Sequence, residues 1–191
     1  MQNFHKFSFI LLLLNTVYSL NAQNITTNSA PTNIFDSLII PGNRIGPVAY
    51  NAHVRDVVNN IGNPKKVERS NYKLTDGSNH SWVTYQYEIK RGKKKYSLNF
   101  NWDDSGLNPV VSGVATFSEN WVTEKGIHVG SSLDELEKAY GEPDLIQDGT
   151  KDGGTLMLFY NIGILFMLKD RNSPIFSIAL EKPQDWSQYR K

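Results

Sequence analysis

VGSSLDELEKAYGEPDLI, residues Val129 to Ile146, carries nearly every local signal that a short amphipathic helix can carry. Ser132 is placed to cap the helix, since its hydroxyl can accept from an orphan backbone N–H, and Glu135 three residues on completes a capping box. Asp134 and Glu135 fall in the first turn, where the helix dipole favours negative charge. Leu133, Leu136 and Tyr140 follow the three-then-four spacing of one helical face and so meet a core together. Gly141 suits a left-handed cap, and Pro143 stops the helix from resuming.

Upstream, VRDVVNNIGNPKKV from Val54 to Val67 echoes the pattern. Val54, Val57, Ile61, Gly62 and Pro64 stand where Leu133, Leu136, Tyr140, Gly141 and Pro143 stand, and Asn51 is placed to cap this first helix. After each helix the apolar period changes to two. Trp82 to Ile89 and Tyr96 to Trp102 alternate, with Val83, Tyr85, Tyr87 and Ile89 on one face and Thr84, Gln86 and Glu88 on the other, which reads as a half-buried antiparallel pair. The hairpin loop between them spans Lys90 to Lys95, and a third strand runs from Val110 to Phe117. Downstream, Leu156 to Tyr160, Ile164 to Leu168 and Ile175 to Leu180 make three more strands, with Tyr160 matching Tyr87 and Phe166 matching Phe100. One such unit is too small to bury an adequate core alone. The chain therefore predicts an α+β fold of two tandem units, each a helix plus a three-stranded antiparallel meander, sharing one continuous sheet with the helices on one face. The units are expected at residues 38–120 and 121–183, followed by a C-terminal tail at 184–191.

The opening MQNFHKFSFILLLLNTVYSLNAQ has a basic residue, an apolar run from Phe7 to Leu14 and a small-residue site ending at Ala22. This is the anatomy of a secretory signal peptide, residues 1–22, and the apolar run is short for a membrane span. Residues 23–37 are rich in Asn, Thr, Ser, Ala and Pro and read as a flexible spacer. An exported protein of the periplasm or extracellular space is predicted. Cysteine is absent, which excludes disulfides, zinc-thiolate sites, a nucleophilic thiol and the lipid attachment of a bacterial lipoprotein. The 20 Lys and Arg balance 19 Asp and Glu, so no global nucleic-acid or membrane footprint is present.

The helix signature Ile127-His128-Val129-Gly130 through Gly141-Glu142-Pro143, followed by a meander, resembles the repeat unit of the β-lactamase inhibitory protein (BLIP) family and of the related small outer-membrane-assembly proteins (BamE, SmpA/OmlA). Ile45-Gly46 through Gly62-Asn63-Pro64 carries a looser copy with about five extra residues, so the resemblance covers most of the chain beyond the signal peptide. It implies a fold rather than a ligand. The inhibitors carry disulfides and the assembly proteins an acylated cysteine, and this chain has neither, so β-lactamase inhibition does not carry over.

Chemistry-bearing constellations are sparse. Beyond the signal peptide the histidines are His53, His80 and His128, none at ligand spacing with another, and no nucleophile elbow or phosphate-cradling glycine loop occurs. Asp103-Asp104 and the acids from Asp148 to Asp152 fall in turns, where carboxylates commonly satisfy backbone donors. No catalytic residue, metal ligand or cofactor is predicted. Two surfaces stand out instead. Lys90, Arg91, Lys93, Lys94 and Lys95 make the densest charge in the chain: a solvated turn, or a docking knob for an acidic protein or anionic lipid headgroups. Met157, Phe159, Leu165 and Met167 occupy the sheet face opposite the helices, an apolar patch larger than a monomer usually leaves open. Either the tail covers it through Trp186 and Tyr189, a neighbouring subunit covers it, or another protein or a lipid chain binds there. The function these features predict is a non-enzymatic binding module that engages another envelope or secreted protein through the open sheet face or its edge loops, the alternative being a small-ligand or lipid carrier.

Overall fold

Extended chain dominates the residues that the computed structural model describes, which are 36–73, 77, 79–104 and 108–189. The expected signal peptide and all of the spacer before Asp36 lie outside them. In chain order the strands are β1 (Leu38–Ile40), β2 (Arg44–Ile45), β3 (Val48–Ala49), β4 (Lys66–Lys73), β5 (Asn79–Arg91), β6 (Lys94–Asp103), β7 (Gly113–Thr116), β8 (Val122–Thr123), β9 (Leu145–Asp148), β10 (Leu156–Tyr160), β11 (Ile164–Leu168) and β12 (Ile175–Leu180). Helix α1 (Val54–Ile61) lies between β3 and β4, and α2 (Leu133–Tyr140) between β8 and β9. An eight-stranded antiparallel sheet has the order β4-β5-β6-β7-β12-β11-β10-β9, and a four-stranded sheet the order β3-β2-β1-β8 with β8 parallel to β1.

This architecture corrects the α+β fold of two helix-plus-three-stranded units with helices on one face. Among the described residues the protein is mostly β, with twelve strands in two sheets and only two helices of eight residues each. The physical reason lies in strands that bury almost nothing. Strand β4, KVERSNYK, is an edge strand with six exposed residues out of eight, so no alternating apolar pattern marks it. Strand β9 is only four residues long, and β2, β3 and β8 are two residues each, too short to show a period.

Helix α2 forms where its local chemistry places it. Ser132 Oγ accepts from the Glu135 N–H at 3.2 Å, and Glu135 Oε2 accepts from the Ser132 N–H at 2.8 Å. The bonds donated by Ser132 hold the Glu135 carboxyl below its ordinary range. Leu136 is fully buried, and Gly141 ends the helix at φ 78° and ψ −166°, a region that residues with a Cβ avoid. Ser132→Ala is expected to cost about 1 kcal/mol. An unchanged denaturant midpoint would show that the cap does not limit stability. In α1 the cap differs from expectation: His53 occupies the N-cap without a side-chain bond, while Asn51 turns the chain at φ 62° and its N–H donates to Val111 O at 2.8 Å.

The core gathers the inner face of the large sheet, including Val83, Tyr87, Leu98, Phe100, Leu158, Phe166 and Ile178, with Val57, Leu136 and the small-sheet residues Ile39, Ile45 and Val48. Tyr87 Oη donates to Gly62 O at 3.0 Å at the end of α1, and Tyr160 Oη donates to Gly141 O at 3.1 Å at the end of α2. Each tyrosine thereby ties a sheet strand to an orphan helix carbonyl. The small sheet is clasped by Arg44, whose guanidinium donates to both Asp36 oxygens at 2.8 and 2.6 Å and to Gly46 O at 2.8 Å. That pairing holds the Asp36 carboxyl below its ordinary range.

Candidate functional site: the outer face of the large sheet

Because side chains alternate across a strand, the outer face follows directly from the register. Its rows run Gln86↔Asn99↔Ala115↔Ala179↔Leu165↔Phe159 and, further along, Ser177↔Met167↔Met157. The β12–β11–β10 half is apolar and the β4–β5–β6 half is polar.

The apolar half is closed. Phe159 and Leu165 are each 1% exposed, Met157 is 9% exposed, and Met167 is half-buried. The chain beyond β12 folds back so that the Trp186 ring, itself 1% exposed, lies 4.7 Å from the Phe159 ring. Asn161 anchors this return, its backbone O accepting from the Gln184 N–H at 3.2 Å and its Oδ1 from the Trp186 N–H at 2.7 Å. Tyr189 packs at the edge of the Trp186 ring and stays 42% exposed. Trp186 Nε1 and Ser177 Oγ are buried beneath this cover without a hydrogen-bond partner.

The polar half is open. Thr84, Gln86, Asn99 and Asn101 are half-exposed and stand opposite one another as Thr84↔Asn101 and Gln86↔Asn99, whereas the Ser97 Oγ, across from the exposed Glu88, is buried. The side chains of Gln86, Asn99 and Thr84 make no hydrogen bond to any other described residue, so two amides and a hydroxyl on this half-exposed face have donors and acceptors to offer a ligand. The Trp82 and Tyr72 rings lie nearly parallel at 6.0 Å at one end of this face. Beside them Asp103 Oδ2 accepts from Tyr72 Oη at 3.2 Å and meets His80 Nδ1 at 2.7 Å. Burial, with the Asp103 charge adding to it, pushes the Tyr72 hydroxyl up to about 12. This cluster went unread in the sequence because His80 and Asp103 are 23 residues apart and meet only through the β5–β6 register. Counting back from the two-residue turn at Gly92-Lys93 pairs Asp103 with Trp82, two residues from His80. The neighbouring Ser81 donates to Asn71 Oδ1 at 2.6 Å.

At the opposite end of β5 the five cations are not a loop. The strands continue to Arg91 and Lys94, leaving Gly92, at φ 58°, and Lys93 as the turn. Lys90 faces Lys95 and Arg91 faces Lys94 as cross-strand pairs, and all five cations are exposed. At the foot of β12, Glu181 is half-buried against the turn at Gly163, and desolvation pushes its carboxyl up to about 7.

His128 is half-buried with Nδ1 at 2.8 Å from Val129 O, a local bond in the approach to α2, and His53 is exposed. Among the described residues no three His, Asp or Glu side chains gather as metal ligands, and no helix is long and apolar enough to cross a membrane. Compared with models of protein families, with characterised proteins and with solved structures, the chain matches none.

Proposed function

We propose that this chain is an exported binding module that engages another protein through the polar half of the outer sheet face and the loops at its edge. The observation that carries this reading is the row of outward amides, Gln86 and Asn99, flanked by Thr84 and Asn101 and ended by the Trp82 and Tyr72 rings. Side chains held at fixed spacing on paired strands lose little freedom on contact, and aromatic rings supply the anchors on which interface energy concentrates. Three strands at about 4.8 Å and about eight residues at about 3.3 Å make a face of about 380 Å². An ordinary interface takes about 800 Å² from each partner, so edge loops belong to the contact as well. Export rests on the signal-peptide pattern of residues 1–22.

A photo-crosslinking side chain at Gln86 or Asn99, irradiated in the native host, is expected to trap one discrete protein adduct. The same group at exposed Glu142, after α2, should not. Identical adducts from all three positions would overturn the assignment of the face.

A further inference from the structure

We infer that the tip of the β5–β6 hairpin, together with Phe117, is a docking element for a bilayer surface bearing anionic phosphate headgroups, a contact separate from the sheet face. The argument begins with charge. Like charges directly opposite on paired strands repel, and the hairpin ends in two such pairs, Lys90↔Lys95 and Arg91↔Lys94, with Lys93 in the turn. A chain whose total charge is nearly balanced thus places five of its 20 cations within six residues. Lys90, Lys93, Lys94 and Lys95 have no carboxylate at ion-pair distance among the described residues. The acid nearest the tip on β5, Glu88, is engaged by Lys65 at 3.4 Å.

The tip is also held in place. Lys95 O accepts from Ser118 Oγ at 3.0 Å and from Asn120 Nδ2 at 2.9 Å, which ties the base of the hairpin to the segment after β7. That segment begins with Phe117, 51% exposed and one residue from the Ser118 clamp. Alternation puts Phe117 on the outer face, the same face as Lys90 and Lys95, so an open apolar ring shares the face of two of the cations.

The occupant follows from this geometry. The cross-strand cation pairs project from both faces of the hairpin, and a protein partner could meet only one of them. Lysine is moreover depleted in the centres of protein interfaces. A planar sheet of diffuse negative charge meets all five at once, each cation adding a similar increment, and it accepts an aromatic ring at the boundary between headgroups and acyl chains.

The test measures partitioning of the whole chain onto vesicles of 30% phosphatidylglycerol in phosphatidylcholine, with pure phosphatidylcholine vesicles as the baseline that absorbs any contribution of the apolar N-terminus. Stronger binding to the anionic vesicles is expected, falling steeply between 0.05 and 0.5 M NaCl. Replacing Lys90, Lys93, Lys94 and Lys95 by Gln should weaken it by at least about a hundredfold, since each cation near such a surface is worth roughly fivefold. Phe117→Ser should weaken it severalfold. A charge-matched control with Lys138, Lys151, Lys169 and Lys182, all exposed elsewhere, changed to Gln should bind like the parent. Equal loss in the control would show a net-charge effect and overturn the inference. So would binding that survives either the hairpin or the Phe117 substitution, displacement by millimolar inorganic phosphate at matched ionic strength, or capture by polyglutamate in preference to the vesicles.

Discussion

Trp186→Ala is expected to destabilise the protein by about 3 kcal/mol and to open the Met157, Phe159 and Leu165 face to water, whereas Trp186→Phe should cost less than about 1 kcal/mol. The indole is 1% exposed and packs at a tilt against Phe159, so truncation removes one of the largest buried side chains and uncovers what it shields. Its Nε1–H, however, is buried with no acceptor. A buried donor without a partner costs part of what the ring contributes, and phenylalanine keeps most of the apolar contact while discarding that donor. Denaturant unfolding gives the two costs, and a dye that fluoresces on apolar surface reports the opened face. Equal stability of the alanine variant and the parent, with no dye signal, would mean the return of the tail is not what closes the sheet.

Glu181→Gln should stabilise the protein at pH 8 by about 2 kcal/mol and leave it unchanged near pH 4. Desolvation pushes this carboxyl from 4.5 to about 7. The folded state therefore holds the proton more tightly than the unfolded chain. Stability contributed by the protonated form is fully present below the unfolded value, declines as pH rises from 4.5 and is gone above about 7. The full separation corresponds to about 3 kcal/mol, and water reaching a half-buried carboxylate reduces it. The chain has no room to relax at this point. Glu181 donates its N–H to Gly163 O at 3.1 Å, Gly42 donates to the same oxygen at 3.0 Å, and a Cβ on Gly163 would come within 2.5 Å of Glu181 O. The Tyr50 hydroxyl is raised by its own desolvation and then by the Glu181 charge. Unfolding midpoints of parent and variant measured from pH 4 to pH 9 should diverge only above about pH 5; parallel curves would sink the assignment.

What could be read in advance divides along physical lines. The Ser132–Glu135 capping box and the strands Leu156–Tyr160, Ile164–Leu168 and Ile175–Leu180 appear where the residues place them, because capping, apolar runs and turn punctuation act over a few residues. The apolar outer residues of β10 and β11 were likewise visible as a patch needing cover. Strand β4 was not legible, because an exposed edge strand needs only backbone pairing and imposes no apolar pattern on its side chains. Nor were β2, β3 and β8 of the small sheet, whose two residues each are held by the Arg44–Asp36 clasp and by pairing to one another or to β1, the short strand legible at Leu38–Ile40, rather than by any local preference.

By themselves, then, the residues determined the two short helices, the positions of the strongly apolar strands and the concentration of cations between Lys90 and Lys95. Tertiary structure alone decided that the protein is mostly β, that Trp186 lies on Phe159, that His80 meets Asp103 and that the cations oppose one another across a two-residue turn. Caps and periodicity are properties of neighbouring residues, whereas register, edge pairing and the path of the tail depend on groups that come together only once the sheet has closed around its core.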